Sequence, residues 1–339
     1  MNSTYYVLRK WMFAAVLVLC GAAVMTSCDK EESSQSINTK IRYRFATQAE
    51  GRQLLLANTE YYNSLTQADI DWRMRRTGAT LDELKNFAWN SVCDFTDEDK
   101  VTIGKAVAFV ENKLHDMGAS LPFPQDDIVF IKTTMEEESD AGAYTHKTEI
   151  YVGERLIGLY ESHPLYLYEL IAHELFHTLT RNSPEFRRQM YSLIGFTATG
   201  TDYVFAPAIR EMILTNPDVE HFDSYAEFTI DGVRRNCTWL SLYTKTWAEA
   251  SAIAGERASF FDFYQGILVP IDELGVYYPI SEVPDFWDVV GRNTNYVFAP
   301  EESMADNFAY AVVYGPNGRD YQTPELITQI IDLLQHYHQ

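Results

Sequence analysis

His173-Glu174-Leu175-Phe176-His177 follows an apolar helical run, residues 165–172, and continues it. Residues four apart on a helix lie one turn above each other, so both imidazoles face one point in space. Two neutral imidazoles on one face are half of a zinc site, and Glu174 beside them can hold a water against such an ion. The same spacing also suits an amphipathic helix whose histidines are hydrogen-bonded within a core. The rest of the chain has to decide between the two.

Upstream, Pro164 fits the first turn of this helix. Two strand patterns precede it, at residues 128–132 and 147–152, with an acidic, glycine-containing turn between them. A strand at a sheet edge beside such a helix can pair with an extended ligand by backbone hydrogen bonds. Residues 148–152 are the candidate edge, and an internal position fits them equally well.

A catalytic zinc needs three protein ligands and an open position. A third histidine just downstream is absent, because Thr180 and Ser183 stand where a glycine and that histidine would be. Asp202, Glu211, Asp218 and His221 qualify by residue type. The best candidate lies in Pro300-Glu301-Glu302-Ser303-Met304-Ala305-Asp306, which opens a helix predicted to run to Tyr314 and stop at Gly315. Glu302 and Asp306 share a face there, so one carboxylate can bind the ion while the other accepts the second N–H of a ligand histidine. Acids in a first turn also suit the helix dipole, and Glu301 fits that solvent-facing role well. Asp306 lies past the first turn, beside Met304 and Phe308, and fits it poorly.

HExxH followed by Glu-x-x-Ala-Asp on a later helix resembles the gluzincin metallopeptidases, the thermolysin-like group. The resemblance covers only these two motifs, and 125 positions separate His177 from Glu302 where the group has a few tens. It implies one zinc ion held by His173, His177 and Glu302, Glu174 as general base, and Asp306 supporting a ligand histidine. It also implies a peptide or protein substrate. The oxyanion formed in peptide hydrolysis needs a further donor, with His221, Tyr225 and Tyr191 as candidates, His221 being equally readable as a surface loop residue.

The start of the chain reads as a leader. Arg9 and Lys10 precede an apolar run from Trp11 to Met25, closed by Thr26-Ser27-Cys28; this is too short for a permanent membrane span. Its end resembles a bacterial lipoprotein signal of the Bacteroidetes kind, which implies a lipid on Cys28 and attachment to the cell envelope, the outer membrane foremost. An ordinary cleaved leader with an incidental cysteine is the other reading. Residues 29–39 are polar and read as a solvated tether. The formal net charge is −21, and losing Arg9 and Lys10 with the leader makes it −23. So acidic a surface repels phosphate backbones and argues against nucleic-acid binding. Cys93 and Cys237 remain in the mature part, either paired or as two free thiols.

Along residues 40–120 the pattern is helical, with Thr80 and Thr96 as N-caps and Gly118 as a stop. Residues 121–339 read as a mixed catalytic region, with a hairpin turn at Asp231-Gly232 and a last helix from Pro324 to His336. The tail beyond it reads as frayed. Thr-Asp-Tyr-Val-Phe-Ala-Pro from Thr201 recurs as Thr-Asn-Tyr-Val-Phe-Ala-Pro from Thr294, but the flanks do not align, so no domain duplication follows. The expected fold is α+β: a helical N-terminal lobe and a mixed lobe with a zincin-like strand ahead of the HExxH helix. The expected function is zinc-dependent peptide hydrolysis, with a non-catalytic surface lipoprotein binding peptide or glycan on such a scaffold as the alternative.

Overall fold

Every residue of Ile128–Thr133 is buried, and its side chains alternate between two cores. Ile128 and Phe130 point into the larger, Val129 and Ile131 into the smaller. A strand buried on both faces belongs inside a sheet that helices cover. The computed structural model describes residues 40–337. The leader, Cys28 and the tether lie outside the described residues, as does His338.

The first sheet contains β1 (Tyr43–Phe45), β2 (Val92–Cys93), β3 (Ile128–Thr133), β4 (Ala143–His146) and β5 (Glu149–Gly153), in the order β1-β3-β5-β4 with β2 also on β3. β1, β3 and β5 are parallel; β2 and β4 run antiparallel to their neighbours. β5 is therefore internal, and the candidate edge at residues 148–152 is corrected: the edge strand is β4. Its acidic, glycine-containing surroundings predict a turn, but pairing along β5 overrides that local preference. Residues 40–120 are not wholly helical either, since they lend β1 and β2 to this sheet. The helices Gln48–Ala57 and Leu81–Ser91 contribute Leu55 and Ala88 to the smaller core. Asp97–Met117 and the motif helix, Pro164–Asn182, contribute Val107, Val110, Leu175 and Leu179 to the larger one. Thr80 with Glu83 and Thr96 with Asp99 form reciprocal caps, and Gly118 ends its helix at φ 73°.

The second sheet, β6 (Thr197–Ala198), β7 (Ser224–Ile230), β8 (Val233–Tyr243), β9 (Tyr264–Pro270) and β10 (Tyr278–Pro279), is antiparallel in the order β10-β9-β8-β7-β6. Asp231 and Gly232 join β7 to β8 with φ of 50° and 79°, the positive values that a two-residue hairpin turn of this hand requires. Phe228 and Trp239 face the larger core; Leu240 and Leu242 face the opposite way, with Phe205 and Ile209. Cys93 and Cys237 are free thiols in different sheets. The architecture is α+β with two sheets. Among the described residues no helix is long and apolar enough to cross a membrane.

The acid helix, Pro300–Tyr314, ends at Gly315 and lies against the motif helix. Phe308 meets Phe176 with ring centroids 5.5 Å apart, both rings fully buried. The tail is not frayed at Tyr337, which is buried. Its hydroxyl lies 3.0 Å from Ser183 Oγ, and its ring packs edge-on against Phe186.

Candidate metal centre

The motif helix turns His173 and His177 toward the acid helix and Glu174 toward β4, while Ile171, Leu175 and Leu179 pack into the core. His173 Nε2 lies 3.1 Å from Glu302 Oε2, and His177 Nε2 lies 3.8 Å from the same oxygen. Ligand atoms around a tetrahedral zinc with bonds of about 2.0 Å stand roughly 3.3 Å apart, so the three atoms are spaced as a half-shell.

Each imidazole is fixed from behind. His173 Nδ1 donates to Asp306 Oδ1 at 2.9 Å, and Asp306 in turn accepts from Thr294 Oγ1. His177 Nδ1 donates to Glu301 Oε1 at 3.0 Å. Glu301 is not a solvent-facing first-turn acid: it is 5% exposed and also accepts from Thr180 Oγ1 and Tyr191 Oη, both at 2.6 Å. Burial alone would favour its neutral form, but His177, Arg187 and Thr180 outweigh that and push its pKa down to about 2. Because both Nδ1 atoms donate, both Nε2 lone pairs face Glu302.

That arrangement calls for a cation. Burial acts to lower the His173 pKa, yet Asp306 and Glu302 hold it well above the usual value, so a proton is drawn between two groups that otherwise repel. His177 Nε2 is fully buried with no hydrogen-bond partner among the described residues, a rarity for such an atom. Burial also pushes the carboxyls of Glu174 and Asp218 above the normal range. The pocket therefore holds more carboxylate than it can ionise alone, which a metal ion would relieve. Two overlapping triads have ligand spacing: His173, His177 and Glu302, and Glu174, His177 and Asp218. These buried groups can bind a metal ion, and the chemistry of the first triad fits zinc.

Around this centre the loop 214–219 and β4 form the wall. Glu174 Oε2 accepts from Thr145 Oγ1 at 2.8 Å, which ties the motif helix to β4. Thr145 N donates to Asp218 Oδ1 at 2.7 Å, and Asn216 Nδ2 donates to Glu302 Oε1. Asp218 is thus part of the site without completing the first triad.

His221 and Tyr225 are not brought to the centre. His221 is exposed and pairs with Asp202, Nδ1 to Oδ2 at 3.1 Å; the loop turns it outward while Asp218 points in. Tyr225 sits in β7 opposite Thr197. Tyr191 is committed to Glu301, and Glu211 is an exposed residue after the short helix Pro207–Arg210. Three tyrosines line the cavity, Tyr166, Tyr296 and Tyr310, and the ring of Tyr296 lies 6.4 Å from the His173 imidazole. Sequence reasoning passed over Tyr296, although it lies in the repeated heptapeptide.

No family model, no curated protein and no solved structure matches this chain.

Proposed function

We propose that this chain is a zinc-dependent peptidase of the gluzincin kind, held to the cell envelope through a lipid on Cys28. One observation carries the hydrolase reading: His173 Nε2, His177 Nε2 and Glu302 Oε2 converge while each histidine's Nδ1 is tied to its own carboxylate. β4, an antiparallel edge strand beside the motif helix, supports the peptide as substrate.

Zinc, when bound, supplies a Lewis acid and draws the pKa of water toward neutrality. Glu174 takes the proton of the attacking water and delivers it to the leaving amine. Burial raises its pKa above the ordinary carboxyl value, which favours its taking up a proton. The Thr145 hydroxyl holds that carboxylate in one position. Tyr296, whose pKa burial holds well above 10, keeps its O–H and can donate to the developing oxyanion. Asp306 and Glu301 keep both imidazoles in the Nδ1–H tautomer throughout.

Zinc content of the purified chain beside Glu302→Ala and Glu174→Gln tests this. The expected result is about one zinc per chain in the parent, loss in Glu302→Ala, and retention without peptidase activity in Glu174→Gln. Retention by Glu302→Ala would move the third ligand to Asp218. No zinc after reconstitution sinks the enzyme reading and leaves a binding lipoprotein.

A further inference from the structure

A cavity of about 340 Å³ opens over His173, Glu174 and Glu302. Among the described residues six carboxylates line it, Asp140, Glu169, Glu174, Asp218, Glu302 and Asp306, and no lysine or arginine does. Arg75 pairs with Asp140 at 2.7 Å near the surface. Glu169 accepts from the Tyr314 hydroxyl and, among the described residues, pairs with no cation. One divalent ion and Arg75 together leave the walls acidic. A partly desolvated cleft of one sign draws ligands of the other and repels its own.

The cleft is also closed at one end. The outward N–H of Thr145 on the edge strand, the group an extended substrate would use, is taken by Asp218. Asp218 is nearly buried; its Oδ1 stands 3.9 Å from His177 Nε2 and 3.8 Å from Arg181 Nη2, which offsets part of its charge. Its loop is pinned to fixed elements. Thr215 donates to Asp69 through N at 3.0 Å and Oγ1 at 2.8 Å. Arg73 Nη2 donates to the Thr215 carbonyl at 2.7 Å, and Arg181 Nη2 to the Pro217 carbonyl at 3.1 Å. The open part of the edge therefore runs beside residues 141–143 and stops at Asp218.

We propose that the substrate is a peptide with an unblocked amino terminus whose ammonium group is received at Asp218, so that cleavage is confined to the amino-terminal end. This rests on the peptidase reading above. An internal segment would have to pass through a pinned loop. A carboxy terminus would meet Asp218 and Glu174 and be repelled. An ammonium group matches both the closed end and the sign of its wall.

The test is calorimetric binding to the zinc-loaded Glu174→Gln chain, which cannot turn substrate over. The probes are trialanine amide, its N-acetyl form, and N-acetyl-Ala-Lys-Ala amide. The free amine is expected to bind about tenfold more tightly than its acetylated form, and adding Asp218→Asn to abolish that preference. Equal binding of acetylated trialanine overturns the proposal. So does a match between the acetylated lysyl peptide and the free amine, which places the cation on a side chain. The acetylation contrast is read with Asp218 intact, so it decides even if the Asp218 variant fails to fold. Turnover by the parent chain is scored separately. Preference in binding without hydrolysis overturns the peptidase reading alone, whereas hydrolysis of acetylated peptides overturns the terminal assignment alone.

Discussion

Glu301 lies behind His177, its Oε1 accepting from Nδ1 at 3.0 Å, while the next residue, Glu302, faces the other side of the same ring. Consecutive residues can do this because a helix rotates each side chain by about 100° from the last, and here His177 stands between the two directions. Glu301→Gln keeps the shape but can present an N–H to the ring, which disturbs the tautomer. Zinc affinity is expected to fall about 10- to 100-fold, read by competition with a chelating dye. Unchanged affinity would mean that Thr180 and Tyr191 alone hold the local geometry.

Glu137 makes stability depend on pH. It is 2% exposed, its Oε1 accepts from the Tyr144 hydroxyl at 3.2 Å, and its Oε2 has no partner. Burial pushes its pKa up from 4.5 to about 7. A folded-state pKa above the unfolded one means that stability is full below about pH 4.5 and declines as pH rises toward 7. That displacement corresponds to roughly 3 kcal/mol. Glu137→Gln should match the parent near pH 4 and exceed it at pH 8, in urea midpoints at the two pH values. Parallel curves would show that Glu137 ionises freely.

Arg73 is 1% exposed between Asp69 and Glu138, at 3.3 and 2.8 Å, and also donates to Thr215 O. Arg73→Ala strands two buried carboxylates, at an expected cost of about 3–5 kcal/mol. It also releases one anchor of the loop that carries Asp218. Denaturant unfolding reads the first effect. Faster amide exchange at Thr215, Asn216 and Asp218 reads the second, and a cost below about 1 kcal/mol would place the network effectively in solvent.

What was legible in the sequence was what local chemistry dictates. Thr80 and Thr96 set caps, Asp231-Gly232 set a hairpin, and Pro300 and Gly315 bounded the acid helix. Helical spacing put His173 with His177 and Glu302 with Asp306, while joining the two pairs into one ligand set was what the resemblance implied. Illegible was what depends on which faces meet. Glu301 has the sequence of a dipole-favoured first-turn acid, and only the approach of His177 and Tyr191 makes it structural. β4 carries turn chemistry and becomes a strand because β5 offers it a partner. The heptapeptide at Thr294 matters because Thr294 bonds Asp306 and Tyr296 lines the cavity. Its twin at Thr201 leads to the surface pair of Asp202 and His221. Six of the seven residues are shared, and the one that differs, Asp202 against Asn295, is the residue that pairs with His221.

The motif helix and the acid helix touch across a chain separation of 124 residues, from His177 to Glu301. Contacts that distant close late, because the entropy of the intervening loop must be overcome first. During synthesis the two histidines are finished while every carboxylate that orients or completes them is still unmade. A nascent chain can thus collapse around the motif helix before its two histidines have met the acid helix. The carboxylates that face both imidazoles from the acid helix are made only in the last quarter of the chain, so a chain that ends before Glu301 lacks them all.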